Sequence, residues 1–168
     1  MTTVNLARRA LFRQPERLSQ PLRPPWGQAE HLFTDLCTRC SDCLDACPTG
    51  LIKIGSGGFP EVDFSAAECT FCGDCVDACQ TDALSRQEDQ QAWDYRAEVQ
   101  EDSCLSLQGI FCRSCSDPCD SRAITFRLHV GGKAQPEIDL QACTGCGACV
   151  APCPASAIVI KPEDALNE

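Results

Sequence analysis

The residues able to do chemistry in this chain are its cysteines, sixteen of them among 168 residues. They stand at Cys37, Cys40, Cys43 and Cys47, then Cys69, Cys72, Cys75 and Cys79, then Cys104, Cys112, Cys115 and Cys119, then Cys143, Cys146, Cys149 and Cys153. That is four quartets with none left over. Quartets one, two and four read C-x2-C-x2-C-x3-C, and the third reads C-x7-C-x2-C-x3-C. A structural zinc ion takes C-x2–4-C pairs set apart by a longer spacer, and four thiolates within eleven residues (37–47) would crowd one tetrahedral ion. Disulfides would require an oxidising compartment. Arg8-Arg9 followed by Ala10-Leu11-Phe12-Arg13 resembles a twin-arginine export signal, but Gln14-Pro15-Glu16-Arg17 stands where its apolar core belongs. The expectation is a cytoplasmic, uncleaved chain whose cysteines bind metal.

Three cysteines at successive offsets of three and a fourth four residues later form the iron–sulfur run of bacterial ferredoxins, often with a proline just after. Pro48 and Pro154 fit that pattern, whereas Gln80 and Asp120 replace the proline. In such a run three thiolates grip one cube, and the fourth, opening a short helix that faces the other way, serves the cube of the partner quartet. The expected sets are Cys37, Cys40, Cys43 with Cys79; Cys69, Cys72, Cys75 with Cys47; Cys104, Cys112, Cys115 with Cys153; and Cys143, Cys146, Cys149 with Cys119. All sixteen are thus expected cofactor-binding metal ligands, for four 4Fe-4S clusters. The third quartet is the weak point, because Leu105 to Phe111 puts seven residues where two are expected. If Cys104 is instead a free buried thiol, three 4Fe-4S clusters remain, with a 3Fe-4S or labile cluster at the third quartet.

The elements that position these cysteines repeat with them. Four and five residues after each fourth cysteine come Leu51-Ile52, Ala83-Leu84, Ala123-Ile124 and Ala157-Ile158, one structural unit copied four times. Ile52-Lys53-Ile54 and Phe59 to Phe64 flank a Gly55-Ser56-Gly57-Gly58 turn, and Ile124-Thr125-Phe126 and Pro136 to Leu140 flank Gly131-Gly132, so each spacer predicts two short strands. The expected fold class is α+β, with two tandem bacterial ferredoxin-like modules, each holding two 4Fe-4S repeats and short β-hairpins. Its divisions are a basic tail over 1–30, a first module over 31–86, a linker over 87–103, a second module over 104–161 and a C-terminal tail over 162–168. With 6% aromatic residues, 11 Gly and 11 Pro, burial looks thin, and metal must supply stability.

Charge and the remaining motifs narrow the function. Residues 1–30 hold five Arg against two Glu, so the rest of the chain carries an excess of 13 acidic charges within a total of −10. Oxidised clusters would add about two negative charges each. Such a body repels nucleic acid and suits a basic patch on a redox partner. The tail is either a solvated arm or a docking arm with Trp26 as its apolar anchor. No apolar stretch nears the ~18 residues of a membrane helix, so the chain is not expected to be integral to the membrane. His31 and His129 stand alone, and Gly55 to Gly58 joins strands rather than opening a helix, so there is no nucleotide loop and no enzyme active site.

Leu22-Arg23-Pro24-Pro25-Trp26, Cys37-Thr38-Arg39-Cys40, Gly57-Gly58-Phe59-Pro60, Ala92-Trp93-Asp94 and the stretched third quartet together resemble the NapF family, ferredoxin-type accessory proteins of periplasmic nitrate reductase systems. The resemblance covers essentially residues 5–160 and includes Arg8-Arg9 without an apolar core. It implies a cytoplasmic four-cluster protein that acts on the precursor of the nitrate reductase catalytic subunit before export, assisting insertion of that subunit's cluster or supplying electrons for its maturation. The alternative is a general soluble polyferredoxin that carries electrons to an unidentified redox partner. The basic tail and Trp26 would be surplus to a simple carrier, which favours the first.

Overall fold

The computed structural model describes residues 21–87, 90–129 and 134–166. Its helices are short: α1 (Glu30–Leu36), α2 (Asp42–Asp45) and α3 (Asp74–Asp77). Its strands are β1 (Ile52–Ile54), β2 (Pro60–Val62), β3 (Tyr95–Val99), β4 (Ile124–Leu128), β5 (Ala134–Ile138) and β6 (Ile158–Pro162). They form three two-stranded antiparallel sheets among the described residues, β1 with β2, β4 with β5, and β3 with β6. Short helices and small antiparallel sheets are compatible with an α+β fold. No helix among the described residues is long and apolar enough to cross a membrane.

The fourfold repeat is visible in the backbone. Three residues after each fourth cysteine the chain enters the left-handed region, at Gly50 (φ 65), Asp82 (57), Arg122 (52) and Ser156 (49). That turn reverses the chain and sends the next two residues inward, and all eight of Leu51, Ile52, Ala83, Leu84, Ala123, Ile124, Ala157 and Ile158 are buried. Only one of the four turn residues is glycine. Left-handed backbone costs an ordinary residue about 1–2 kcal/mol, so the repeat accepts that strain to bury an apolar pair.

Two segments do more than the sequence suggests. Residues 87–103, expected as a linker, contain β3, whose Tyr95 to Val99 lie opposite Pro162 to Ile158 of β6. Tyr95 and Ala97 are buried in the usual alternation, but so is Arg96 between them. Its guanidinium donates to the Leu140 carbonyl at 2.9 Å and pairs with Glu163 at 3.1 Å, so a buried cation masks the strand pattern. The second segment is 21–30, expected as part of a basic tail. Val62 N–H donates to the Leu22 carbonyl, Trp26 N–H to Ala92, and Gln28 N–H to Ala83. Arg23 is buried, with its guanidinium clasping both Glu30 oxygens (2.8 and 2.6 Å), donating to the Pro60 carbonyl, and lying over the Phe33 and Phe59 rings. Trp26 is 4% exposed. The expectation that Trp26 anchors a partner is therefore corrected: its ring lies in this chain's own core, covered by Arg86 at 4.9 Å. Arg8, Arg9, Arg13 and Arg17 lie outside the described residues.

The two halves meet along an aromatic seam. Trp93 stacks on Tyr95 at 5.0 Å and meets the edges of Phe64 and Phe71 at 5.8 and 5.6 Å. Its indole N–H donates to the Thr144 carbonyl at 3.0 Å, and Cys69 N–H donates to the Cys146 carbonyl at 2.8 Å. Quartets two and four are thereby in backbone contact. Gly145 (φ 71) and Gly147 (φ 82) make this possible, since a Cβ at the first would strike the Tyr95 carbonyl and one at the second the Phe64 ring.

Two glycine replacements separate strain from collision. Gly50→Ala should cost only about 1–2 kcal/mol, because its nearest obstacle is the Lys53 amine at 4.0 Å. Gly145→Ala should cost clearly more, because rigid backbone stands in the way. Thermal unfolding of the metal-loaded protein checks this, and equal losses for the two variants would show that the seam is not close-packed.

Candidate functional site

Three quartets carry their first three cysteines on loops of one shape. The residues two and four positions after the first cysteine are left-handed in each: Arg39 and Ser41, Phe71 and Gly73, Gly145 and Gly147, with φ between 56 and 92. Two left-handed residues in so short a loop coil it round a common centre, toward which the thiols converge. In the first two quartets a single helical turn, α2 or α3, then begins one residue before the third cysteine.

The fourth cysteine crosses over. One cavity is lined by Cys37, Cys40, Cys43 and Cys79. A second is lined by Cys47, Cys69, Cys72 and Cys75. A third brings Cys104 together with Cys112, Cys115 and Cys153. In each, three thiols come from one quartet and the last from its partner. In the fourth quartet, Cys143 and Cys146 lie near enough to act electrostatically on Cys149, and the partly buried Cys119 lies against the Ser121 hydroxyl at 3.6 Å.

The third loop departs from the others in backbone as well as length. Neither Phe111 nor Arg113 is left-handed there. Instead Gln108 N–H donates to the Cys104 carbonyl at 3.1 Å and Ile110 N–H to Leu105 at 2.9 Å, closing a compact turn. Ser106, 3% exposed, pins that turn through its hydroxyl to the Ala134 carbonyl. The excursion is folded, and it returns Cys104 to the cavity of its quartet. At its end Ile110 and Phe111 stand 54% and 87% exposed.

The donor set fits a metal–sulfide cube. None of the sixteen cysteines is in a disulfide. Burial and the neighbouring thiols push Cys43, Cys75 and Cys149 up to about 12, and burial pushes Cys69 and Cys115 up to about 11. Crowded thiols of this kind resist ionising together unless a cationic core draws the protons off. Among the described residues no group of three Cys, His, Asp or Glu is placed to hold a single metal ion. A tetrahedral zinc would need thiolates roughly 3.8 Å apart, whereas a cube spreads them to its corners. The partly buried Cys47 goes the other way: burial raises it, but the Thr49 hydroxyl and the backbone N–H groups of Ile52, Leu51 and Thr49 outweigh that and hold it below the usual thiol range. These hydroxyl contacts, and the left-handed non-glycine residues, are what spacing alone does not disclose; Thr49, Thr81 and Ser121, each two places after a fourth cysteine, were their only sequence signal.

Comparison with known proteins agrees with this geometry. A family model described as a 4Fe-4S dicluster domain matches residues 36–83 and again 110–157. The chain is 48% identical over 140 residues to the ferredoxin-type protein NapF of Haemophilus influenzae, covering 83% of this chain and 78% of that protein. It is 42% identical over 145 residues to the ferredoxin-type protein NapF of Escherichia coli K12, covering 86% and 87%. Similarity at 32% over 151 residues extends to the ferredoxin-type protein NapG of Escherichia coli K12, covering 79% of this chain and 65% of that protein.

Two dicluster matches and sixteen cysteines in four quartets fit four 4Fe-4S clusters. Protein purified without oxygen should therefore carry about sixteen iron atoms and about sixteen sulfides per chain. Because metal binding and folding are coupled in small metal-rich domains, iron chelation should abolish the cooperative thermal transition. A cluster-free chain with native circular dichroism and an unchanged melting temperature would show that the apolar core suffices.

Proposed function

The chain belongs to the NapF family of ferredoxin-type 4Fe-4S proteins, and on that premise we propose that it is a cytoplasmic iron–sulfur accessory protein of a periplasmic nitrate reductase system. Its partner is the precursor of the catalytic subunit, whose cluster assembly or electron supply it assists before export. It is an accessory protein and not itself an enzyme. In this reading Cys37, Cys40, Cys43 and Cys79 hold one cluster, and Cys47, Cys69, Cys72 and Cys75 the second. Cys104, Cys112, Cys115 and Cys153 hold the third, and Cys119, Cys143, Cys146 and Cys149 the fourth. When bound, each cluster supplies one-electron redox chemistry; the chain supplies the thiolates, their hydrogen bonds and the surface that a partner meets.

The observation that carries the partner reading is the apolar pair Ile110 and Phe111, exposed on the excursion that leads from Cys104 to Cys112. Large apolar side chains held out beside a redox site suit one stable complex, because buried aromatic anchors supply most of the affinity of an interface. A second reading, a freely diffusing electron carrier, draws on the exposure of Cys40 and Cys72, which leaves two cluster edges near solvent for brief encounters.

The test uses the full chain with Ile110→Ser and Phe111→Ser together. This variant should keep all four clusters, since neither side chain is buried, while its affinity for the purified catalytic-subunit precursor falls about tenfold or more. Deletion of residues 2–20 is the companion measurement, and it must stop there because Arg23 to Trp26 are buried. Loss of the four arginines should mainly slow association and reduce its salt dependence. Affinity unchanged in both variants, together with normal nitrate reductase activity in cells lacking the whole protein, would leave the diffusible carrier.

A further inference from the structure

Each of the four crossed cysteine sets has a hydroxyl beside one of its thiols, and three of these hydroxyls occupy the same place in the repeat. The Thr49 hydroxyl lies 3.5 Å from Cys47 Sγ, that of Thr81 3.9 Å from Cys79 Sγ, and that of Ser121 3.6 Å from Cys119 Sγ. All three sit two residues after the fourth cysteine. In the last repeat that place is Ala155, and Cys153 Sγ instead accepts from the backbone N–H of Ala157 at 3.2 Å. The hydroxyl for this site is displaced onto another of its thiols, with Ser114 3.7 Å from Cys112 Sγ. An iron-bound thiolate carries no proton, so in the loaded protein the hydroxyl is the only possible donor of each pair.

The crossover decides which site each hydroxyl serves. Thr49 follows Cys47 of the first quartet, yet it lines the cavity of Cys69, Cys72 and Cys75. Thr81 follows Cys79 of the second quartet and lines the cavity of Cys37, Cys40 and Cys43. Ser114 and Ala155 both line the cavity of Cys104, Cys112 and Cys115.

Resting on the 4Fe-4S reading of these cavities, we infer that Thr49, Thr81, Ser121 and Ser114 are potential-setting residues, each donating to a ligating thiolate and so raising the reduction potential of one cluster. The sign follows from charge. Reduction adds one electron to a site that is already anionic, and a hydrogen bond to its thiolate stabilises the reduced form more than the oxidised one. Because Thr49 and Thr81 serve crossed sites, a change in one repeat is read out in the cluster of the other.

The measurement is a mediated dithionite titration of the full, four-cluster protein followed by electron paramagnetic resonance, in which each cluster accepts one electron from the reductant. Thr49→Val keeps the side-chain shape and removes the donor. The reduced-to-oxidised ratio of one cluster at fixed potential should then fall about tenfold, which is about 59 mV for a one-electron couple, and Thr49→Ser should restore it. Thr81→Val should move a different cluster by a similar amount. Ala155→Ser, which adds the missing hydroxyl, should shift a third cluster the opposite way. Four intact clusters with unmoved midpoints in Thr49→Val and Ala155→Ser would overturn the inference while leaving the cluster reading standing; a wild-type protein without iron and sulfide would overturn that reading itself. Should Thr49→Val lose its cluster, a purely structural role predicts no shift in Ala155→Ser, and that variant decides.

Discussion

A cube needs thiolates on several sides, and a loop of seven residues can supply only those on one. The remaining side has to be faced from elsewhere in the chain, and in three cavities it is lined by the fourth cysteine of the partner repeat. That single demand shapes the molecule. The fourth cysteine must leave its own loop and point across, the chain must then turn back sharply, and the left-handed residue three places on makes that turn. The apolar pair that follows is buried between the two repeats. Crossed cysteines lining shared cavities and the buried pairs that follow them thus link the two repeats of a module.

The same logic explains why the two modules are not independent beads. Quartets two and four share a backbone hydrogen bond between Cys69 and Cys146, roofed by Trp93, Tyr95, Phe64 and Phe71. Much of the protein's small aromatic content is spent at that junction. Some of the exposed large apolar side chains stand by the other sites: Ile54 lines the first cavity, while Ile110 and Phe111 immediately precede Cys112 of the third.

Cysteine spacing is a local property, so the quartets and the apolar pairs after each fourth cysteine were legible in the sequence. What was not legible depends on partners far along the chain. Arg23 read as part of a basic tail and nothing marked Arg96 for burial, because a cation's burial becomes reasonable only when Glu30, Pro60, Leu140 and Glu163 arrive to satisfy it. Trp26 and β3 were lost with them, one assigned to a tail and the other to a linker. The stretched third loop read as slack, because its anchor is Ser106, a small polar residue whose partner Ala134 lies 28 residues on. The left-handed Asp82, Arg122 and Ser156 carried no glycine to announce them.

Burial of Arg23 also divides a task that the sequence had placed in one segment. Of the five arginines in residues 1–30, the one nearest the body is consumed inside it, clasped by Glu30 and stacked on two phenylalanines. The remaining four, with Glu16, stand before residue 21. Loading four oxidised clusters would make the acidic body more negative by about eight charges, so the contrast between it and that arginine-rich stretch grows as the protein matures. Charge of this kind steers association and weakens with salt, whereas apolar contact sets how long a complex lasts. With Trp26 withdrawn into the core, the exposed apolar side chains include Ile110 and Phe111, on the one loop where the fourfold copy is interrupted. The seven residues there are too many for ligating iron alone, and the structure gives the surplus a use: Ser106 fastens the loop and Phe111 is held out to solvent.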